Sequence, residues 1–210
     1  MHAYILLDRS GSMQTLWVEA LSSVNAYARG LADKTSGDAV DSHVTLAVFD
    51  EHAGLQFDLL RRKIPALHWE SVGDSEATPR GMTPLLDAIG RIVALAETDN
   101  AGKAVIVVMT DGQENASREV TREGARAALD RARARGWEVV FLGANFDNIS
   151  DADAVGVVGS RQMSMAPGSM SVSMERLASK SRAYGARSAP VEFDDEDRAA
   201  AKESSVKNKS

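Results

Sequence analysis

Cysteine is absent from this chain of 210 residues. That excludes disulfide frameworks, thiolate zinc sites and cysteine nucleophiles together, and it fits a reducing compartment. Aromatic residues are sparse, and Trp17, Trp69 and Trp137 are too scattered to build a platform on which bases stack. Basic charge is not in excess: the net charge is −6, which argues against general nucleic-acid binding. No run of about 18 apolar residues occurs, so no membrane-spanning helix is expected. The N-terminal apolar run is short and no basic segment precedes it, unlike a secretory leader. The expected location is the cytoplasm. A phosphate-binding G-x-x-x-x-G-K-[ST] loop and a G-x-S-x-G nucleophile elbow are both missing, and no internal repeat is present.

What is present is an alternation. Hydrophobic residues make up 44% of the chain and charged residues 26%, an ordinary balance for a globular protein. Ala3 to Leu7 reads as a buried strand that ends at Asp8, with turn residues following. Leu16, Val18, Leu21, Val24, Tyr27, Ala28 and Leu31 recur at helical spacing. Val44 to Phe49 and Leu55 to Leu60 read as two strands joined by an Asp50–Gly54 hairpin loop, antiparallel and at the sheet edge. Arg61 to Met82 reads mostly as loop. Thr83-Pro84 opens a helix, with the threonine as its expected cap. Ala104 to Met109 is the most apolar run and the expected central strand.

A charged amphipathic helix follows over Glu119 to Arg135, stopped by Gly136. Glu138 to Leu142 is a further buried strand, Ile149 to Val155 a short helix, Arg161 to Met165 an edge strand, and Ser169 to Tyr184 a last helix. The alternation predicts a doubly wound α/β fold: a mostly parallel central sheet with one antiparallel edge strand and helices on both faces. Residues 1–186 form the domain. From about Arg187 the apolar residues thin out. Residues 187–210, acidic at Asp194-Asp195-Glu196-Asp197 and then rich in Ser and Lys, are expected as a largely mobile tail.

Three segments bring oxygen-bearing side chains to one edge of such a sheet: Asp8-Arg9-Ser10-Gly11-Ser12, Gly81-Met82-Thr83-Pro84 and Thr110-Asp111-Gly112. Ligands of doubly wound folds bind at the C-terminal edge of the strands. Two aspartates, Asp8 and Asp111, with the hydroxyls of Ser10, Ser12 and Thr83, make a hard, oxygen-only donor set. Such a set suits Mg²⁺, with Mn²⁺ or Ca²⁺ as alternatives, rather than zinc or copper. Gly11 and Gly112 allow tight backbone turns beside it. At least one octahedral position stays open, where an Asp or Glu of another molecule fits.

These segments, extended to Met13, Leu85 and Val108-Met109, resemble in order and spacing the three motifs of the von Willebrand factor type A domain, over roughly residues 1 to 186. The resemblance implies a Rossmann-like fold with an intact metal-ion-dependent adhesion site formed by Asp8, Ser10, Ser12, Thr83 and Asp111. It implies a protein-binding module rather than an enzyme, of the intracellular bacterial or phage type, to which Glu114-Asn115 is common. Stand-alone domains of this kind often work beside AAA+ ATPases of the MoxR or chelatase type, which makes such an ATPase the expected partner class. Arg9 departs from the pattern as a bulky cation beside the site, and is expected to point outward.

Two other readings stand beside this one. The acidic tail, with Glu192, Asp194, Asp195, Glu196 and Asp197, offers carboxylates for self-association through the metal. A Mg²⁺-dependent phosphoester hydrolase would use the same aspartates, but the acid/base position two residues after Asp8 is Ser10, which lacks that chemistry. His43, His52 and His68 lack ligand spacing. Met163, Met165, Met170 and Met174 read as core filling, and Arg126, Arg131, Arg133 and Arg135 as a solvated helix face.

Overall fold

A computed structural model of the chain describes residues 1–144 and 150–207. The most apolar runs become the inner strands. β1 (His2–Asp8), β4 (Ala104–Thr110) and β5 (Glu138–Ala144) are buried along their whole length, and β2 (His43–Glu51) at all but its end residues. Continuous burial of this kind is what a parallel strand covered on both faces requires. β3 (Leu55–Pro65) and β6 (Gln162–Met165) form the two edges. The order is β3-β2-β1-β4-β5-β6, with β3 antiparallel to β2 and all other pairs parallel.

Side chains alternate across the sheet. Ala3, Ile5 and Leu7 of β1 face α1 (Trp17–Leu31) and α5 (Met170–Arg187), packing with Val24, Tyr27, Met174 and Leu177. Tyr4 and Leu6 face α2 (Leu85–Thr98) and α3 (Arg122–Ala134), packing with Ile89, Ile92 and Leu129. Met163, Met165, Met170 and Met174 are all buried in the first of these layers. Ala104 pairs with His2 and Met109 with Leu7, so β1 and β4 end side by side, at the point where the strand order reverses.

Several sequence expectations are revised. Val18, counted on the apolar stripe of α1, is 70% exposed, because Trp17 and Leu21 take the core-facing positions. β3 runs five residues beyond Leu60 into the expected loop. It does so through an irregular register in which Lys63 takes a positive φ and donates its N–H to Thr45 Oγ1 at 3.0 Å. The short helix is α4 (Ser150–Ala154); Ile149 and Asn145 lie outside the described residues.

The largest revision concerns the C-terminal segment. Residues 188–207 are packed on the domain rather than spread as a mobile tail. Val191, Phe193, Ala201 and Val206 are buried. α6 (Asp195–Ala200) starts from a reciprocal capping box between Asp194 and Asp197, and α7 (Glu203–Lys207) follows. The acidic composition that suggested disorder is neutralised locally. Asp197 Oδ1 accepts from Arg176 Nε at 2.6 Å, and Asp194 Oδ2 from Lys180 Nζ at 2.8 Å. Among the described residues no helix is long and apolar enough to cross a membrane.

Candidate metal site

Asp8 ends β1 and is fully buried. Its two carboxylate oxygens meet two donors: Ser10 N–H reaches Oδ1 at 2.7 Å, and Thr110 Oγ1 donates to Oδ2 at 2.5 Å. Ser10 and Ser12 follow on the turn into a short 3₁₀ helix, with their hydroxyl oxygens 3.0 Å apart. Ser12 Oγ donates to Asp111 Oδ1 at 2.7 Å. Asp8, Ser10, Ser12 and Asp111 thus form one continuous hydrogen-bonded group across the β1 and β4 ends.

Thr83 completes the group from a third segment. A Cβ placed on Gly112 would lie 3.0 Å from Thr83 Oγ1, 3.4 Å from Ser12 Oγ and 3.8 Å from Asp8 Oδ2. Oxygens from three of the five expected residues therefore converge on the space that glycine leaves empty at position 112. This concave oxygen-lined cradle, joined by Asp111 and Ser10, is a donor set that fits a hard divalent cation. Among the described residues there is no cluster of three or more His, Asp or Glu side chains suited to a metal, so hydroxyls are integral to this donor set.

The electrostatics point the same way. Burial pushes the Asp8 carboxyl up to about 6, against the opposing hydrogen bonds from Thr110 and Ser10, with Asp111 adding repulsion. Burial also raises Asp111, which the bond from Ser12 partly offsets. A buried and a partly buried carboxylate whose charged forms are disfavoured are groups that a nearby cation stabilises.

The segment carrying Thr83 is tied to the others through backbone. Gly11 N–H bonds Gly81 O at 3.1 Å, and Arg80 N–H bonds Arg9 O at 2.8 Å. Gly81 has φ +66, and a Cβ there would fall 1.9 Å from Glu51 O, so glycine is required for the approach of this loop to β2. Thr83 does not cap α2. The helix starts at Leu85 with Pro84 in the cap position and no side-chain cap from position 83. The orphan first-turn donors are taken instead by the segment after Asp111: Leu86 N–H meets Glu114 Oε2 and Ser117 Oγ, each at 3.0 Å, and Asp87 N–H meets Ser117 Oγ at 3.1 Å. The Thr83 hydroxyl is thereby spared for the cradle. Asn115 holds its backbone from both sides, Oδ1 accepting from Thr83 N at 2.9 Å and N–H donating to Thr83 O at 3.2 Å.

Arg9 does not point out to solvent. It is buried beside β2 and β3, where Nε donates to Asp50 Oδ1 at 2.9 Å, Nη2 also contacts Asp50, and Nη2 reaches Asp58 Oδ2 at 2.8 Å. Arg80 Nε adds a bond to Asp50 Oδ2 at 2.9 Å. The charge of Arg9 is thus neutralised within the fold instead of opposing a cation. Thr110, Asp50, Asn115, Glu114 and Ser117 all position the site without having been singled out for it from the sequence. Thr110, adjacent to Asp111, carried a local signal, and Glu114-Asn115 entered the sequence reading only as a mark of the family type. The others act across 28 or more residues of sequence, where periodicity is silent.

Comparison with known proteins bears on the family and the fold. The family model described as von Willebrand factor type A domain matches residues 3–186. No curated protein matches the chain. Among solved structures the chain is similar to the vWF domain of a type V pili tip protein from Porphyromonas gingivalis, with TM-score 0.61 and 11% identity over 89% of this chain and 96% of that one. It is similar to the manganese-loaded TRAP protein of Plasmodium vivax, with TM-score 0.52 and 16% identity over 82% and 70%. It is also similar to proximal thread matrix protein 1 from the mussel byssus with a zinc-occupied MIDAS motif, with TM-score 0.57 and 16% identity over 86% and 45%. The chain thus spans less than half of the mussel protein's length. At these identities the structural likeness speaks to the fold. With its model matched over most of the length, the chain belongs to the von Willebrand factor type A domain family.

Proposed function

We propose that this chain is a metal-dependent protein-binding module. Asp8, Ser10, Ser12, Thr83 and Asp111 hold one divalent cation, Mg²⁺ or in its place Mn²⁺ or Ca²⁺. The single observation that carries the reading is the convergence of Thr83, Ser12 and Asp8 oxygens on the empty side of Gly112. A bound cation there supplies positive charge and an open coordination position for a partner's Asp or Glu.

The chain's own residues prepare that position. Asp8 is oriented by Thr110 and Ser10, Asp111 by Ser12, and Thr83 by Asn115. Arg9 is withdrawn into an ion pair with Asp50. A carboxylate of another molecule completes the shell; of the chain's own acidic segment, Asp194 and Asp197 are engaged by Lys180 and Arg176. An AAA+ ATPase of the MoxR type, in the cytoplasm, is the partner class carried over from the family resemblance. Binding is favoured over phosphoester hydrolysis because Ser10 occupies the position where an acid/base aspartate is needed.

The test is calorimetric titration of Mg²⁺ and Mn²⁺ into metal-free protein, alongside Asp111→Ala and Ser10→Ala. One ion per chain in the intact protein, lost in both folded variants, is the expected result. Absence of binding in the intact protein at millimolar metal would sink the reading. A pull-down with and without chelator then identifies the partner.

A further inference from the structure

Beside the candidate metal site this chain, acidic as a whole, turns cations outward. β1 and β2 run parallel with Asp8 opposite Phe49, so Asp50 and Glu51 end β2 at the same sheet edge as the cradle. The segment that delivers Thr83 is laid along this strand end. Glu51 N–H donates to Met82 O at 3.0 Å, and Met82 N–H donates to Glu51 O at 3.4 Å. Successive side chains of an extended segment point to opposite sides. Thr83 is turned in to the cradle and buried, while Met82 stands out and is 45% exposed.

Two arginines flank Met82. Arg80 donates from Nε to Asp50 Oδ2 at 2.9 Å, and among the described residues no hydrogen bond or ion pair engages its two terminal nitrogens. Its side chain is 45% exposed. Arg118 Nη2 lies 3.6 Å from Glu51 Oε1, too far for a hydrogen bond, and the side chain is 72% exposed. The acids under these cations are turned away from solvent: the Asp50 side chain is fully buried and that of Glu51 is 12% exposed. Asp58, half exposed, is held by Arg9. The outermost charges around Met82 are therefore guanidinium groups. A loose surface pair such as Arg118 with Glu51 contributes little, so an incoming carboxylate replaces it at small cost.

We propose that Arg80, Met82 and Arg118 form a second recognition surface beside the metal, and that the partner segment it fits is extended and acidic. One carboxylate completes the metal shell, an apolar side chain lies on Met82, and a further Asp or Glu meets the guanidinium of Arg80 or Arg118. The inference rests on the metal-dependent binding reading above and adds the partner's chemistry to it. The occupant follows from charge. A guanidinium donates two parallel N–H bonds to a carboxylate, whereas a basic segment would set like charges against both arginines. The spacing follows from the chain. Arg80 and Thr83 are three residues apart, at most about 11 Å of backbone. An extended partner covers that length in about three residues, so its second acid belongs about two to four places from the first.

The test probes an array of short acetylated peptides, with one central Asp fixed and the other positions varied, using the full chain in saturating Mg²⁺ and again in chelator. Chelator-sensitive binders are expected to carry a second Asp or Glu at that spacing and an apolar residue between the two acids. Arg80→Gln with Arg118→Gln should abolish the preference for the second acid and weaken the best peptide about tenfold, the worth of two exposed ion pairs together. Met82→Ser should abolish the apolar preference. Mg²⁺ affinity by calorimetry should be unchanged in each variant. Arg118→Gln alone, which touches only the surface contact with Glu51, keeps the test open if loss of Arg80 disturbs Asp50. Chelator-sensitive binders with no second-acid preference, or with one that survives the arginine substitutions, overturn the proposal and leave metal-dependent binding standing. A chain that binds Mg²⁺ but no peptide in a chelator-sensitive way overturns carboxylate recognition itself, and this proposal with it.

Discussion

Gly112 shows how a single missing atom shapes the site. The space its absent Cβ leaves is bordered by Thr83 Oγ1, Ser12 Oγ and Asp8 Oδ2. Gly112→Ala fills that space with a methyl group whose surroundings are polar and whose nearest neighbour, at 3.0 Å, must give way. Metal affinity is expected to fall about tenfold or more, while unfolding free energy changes by only about 1 kcal/mol, as for modest overpacking. Calorimetry and urea denaturation on the same variant separate the two effects. Arg9 gives the opposite case, a residue beside the site whose work is structural. Arg9→Ala leaves the fully buried Asp50 with Arg80 as its remaining arginine partner. A loss of about 3 kcal/mol is expected, the lower end for breaking a buried pair. A loss of unfolding free energy in urea of less than a quarter of that would show that water replaces the guanidinium freely.

At the scale of elements, helix α2 and the segment after Asp111 hold each other. Glu114 and Ser117 cap the helix, and the helix returns the favour through Asp87. Asp87 accepts from the N–H groups of Arg118 at 2.9 Å, Glu119 at 3.0 Å and Val120 at 2.7 Å. The exchange fixes Thr83 and Asp111, which lie at the two ends of this lock. Asp87→Ala removes an ionised acceptor from three backbone donors and is expected to cost about 2–3 kcal/mol. Faster amide exchange at 118–120 and weaker metal binding should accompany it, and unchanged exchange there would refute the lock. In the sequence Asp87 reads as an acid in a helix first turn, which is favourable on its own account. Nothing local announces that its partners lie more than thirty residues away.

At the scale of the whole molecule, the end of the sheet remote from the site sets a pH limit. His2 opens β1, stacks on Tyr4 at 3.9 Å and shares a 2.8 Å hydrogen bond with Thr45 Oγ1. Burial lowers its pKa from 6.5 to about 4, with His43 and Lys63 opposing the charge and Asp99 favouring it. A base depressed by folding takes up its proton more readily in the unfolded chain. Its stabilising contribution is complete above about 6.5 and is lost as pH falls towards 4. Asp8, raised by burial, has the opposite slope in metal-free protein. The measurement is therefore a difference: the stability advantage of wild type over His2→Gln should shrink as pH drops through that window. A gap that stays constant would mean that His2 titrates normally.

The succession of strands and helices, the antiparallel edge hairpin, the buried methionines and the five residues of the candidate site were legible in the sequence, because each rests on local pattern. Apolar runs, helical periodicity and turn residues act over a few positions, and the three motifs are short and ordered. Tertiary structure decided what those patterns meet. It turned Arg9 inward onto Asp50, because a carboxylate 41 residues on lies in the neighbouring strand. It took the capping of α2 away from Thr83 and gave it to Glu114 and Ser117, since both segments arrive at the same sheet edge. It folded the acidic C-terminal segment onto β6, because Arg176 and Lys180 on α5 neutralise charges that in isolation would keep the chain solvated. Local sequence specifies which elements form, while the balance of buried charge and unpaired backbone depends on neighbours that only the assembled sheet supplies.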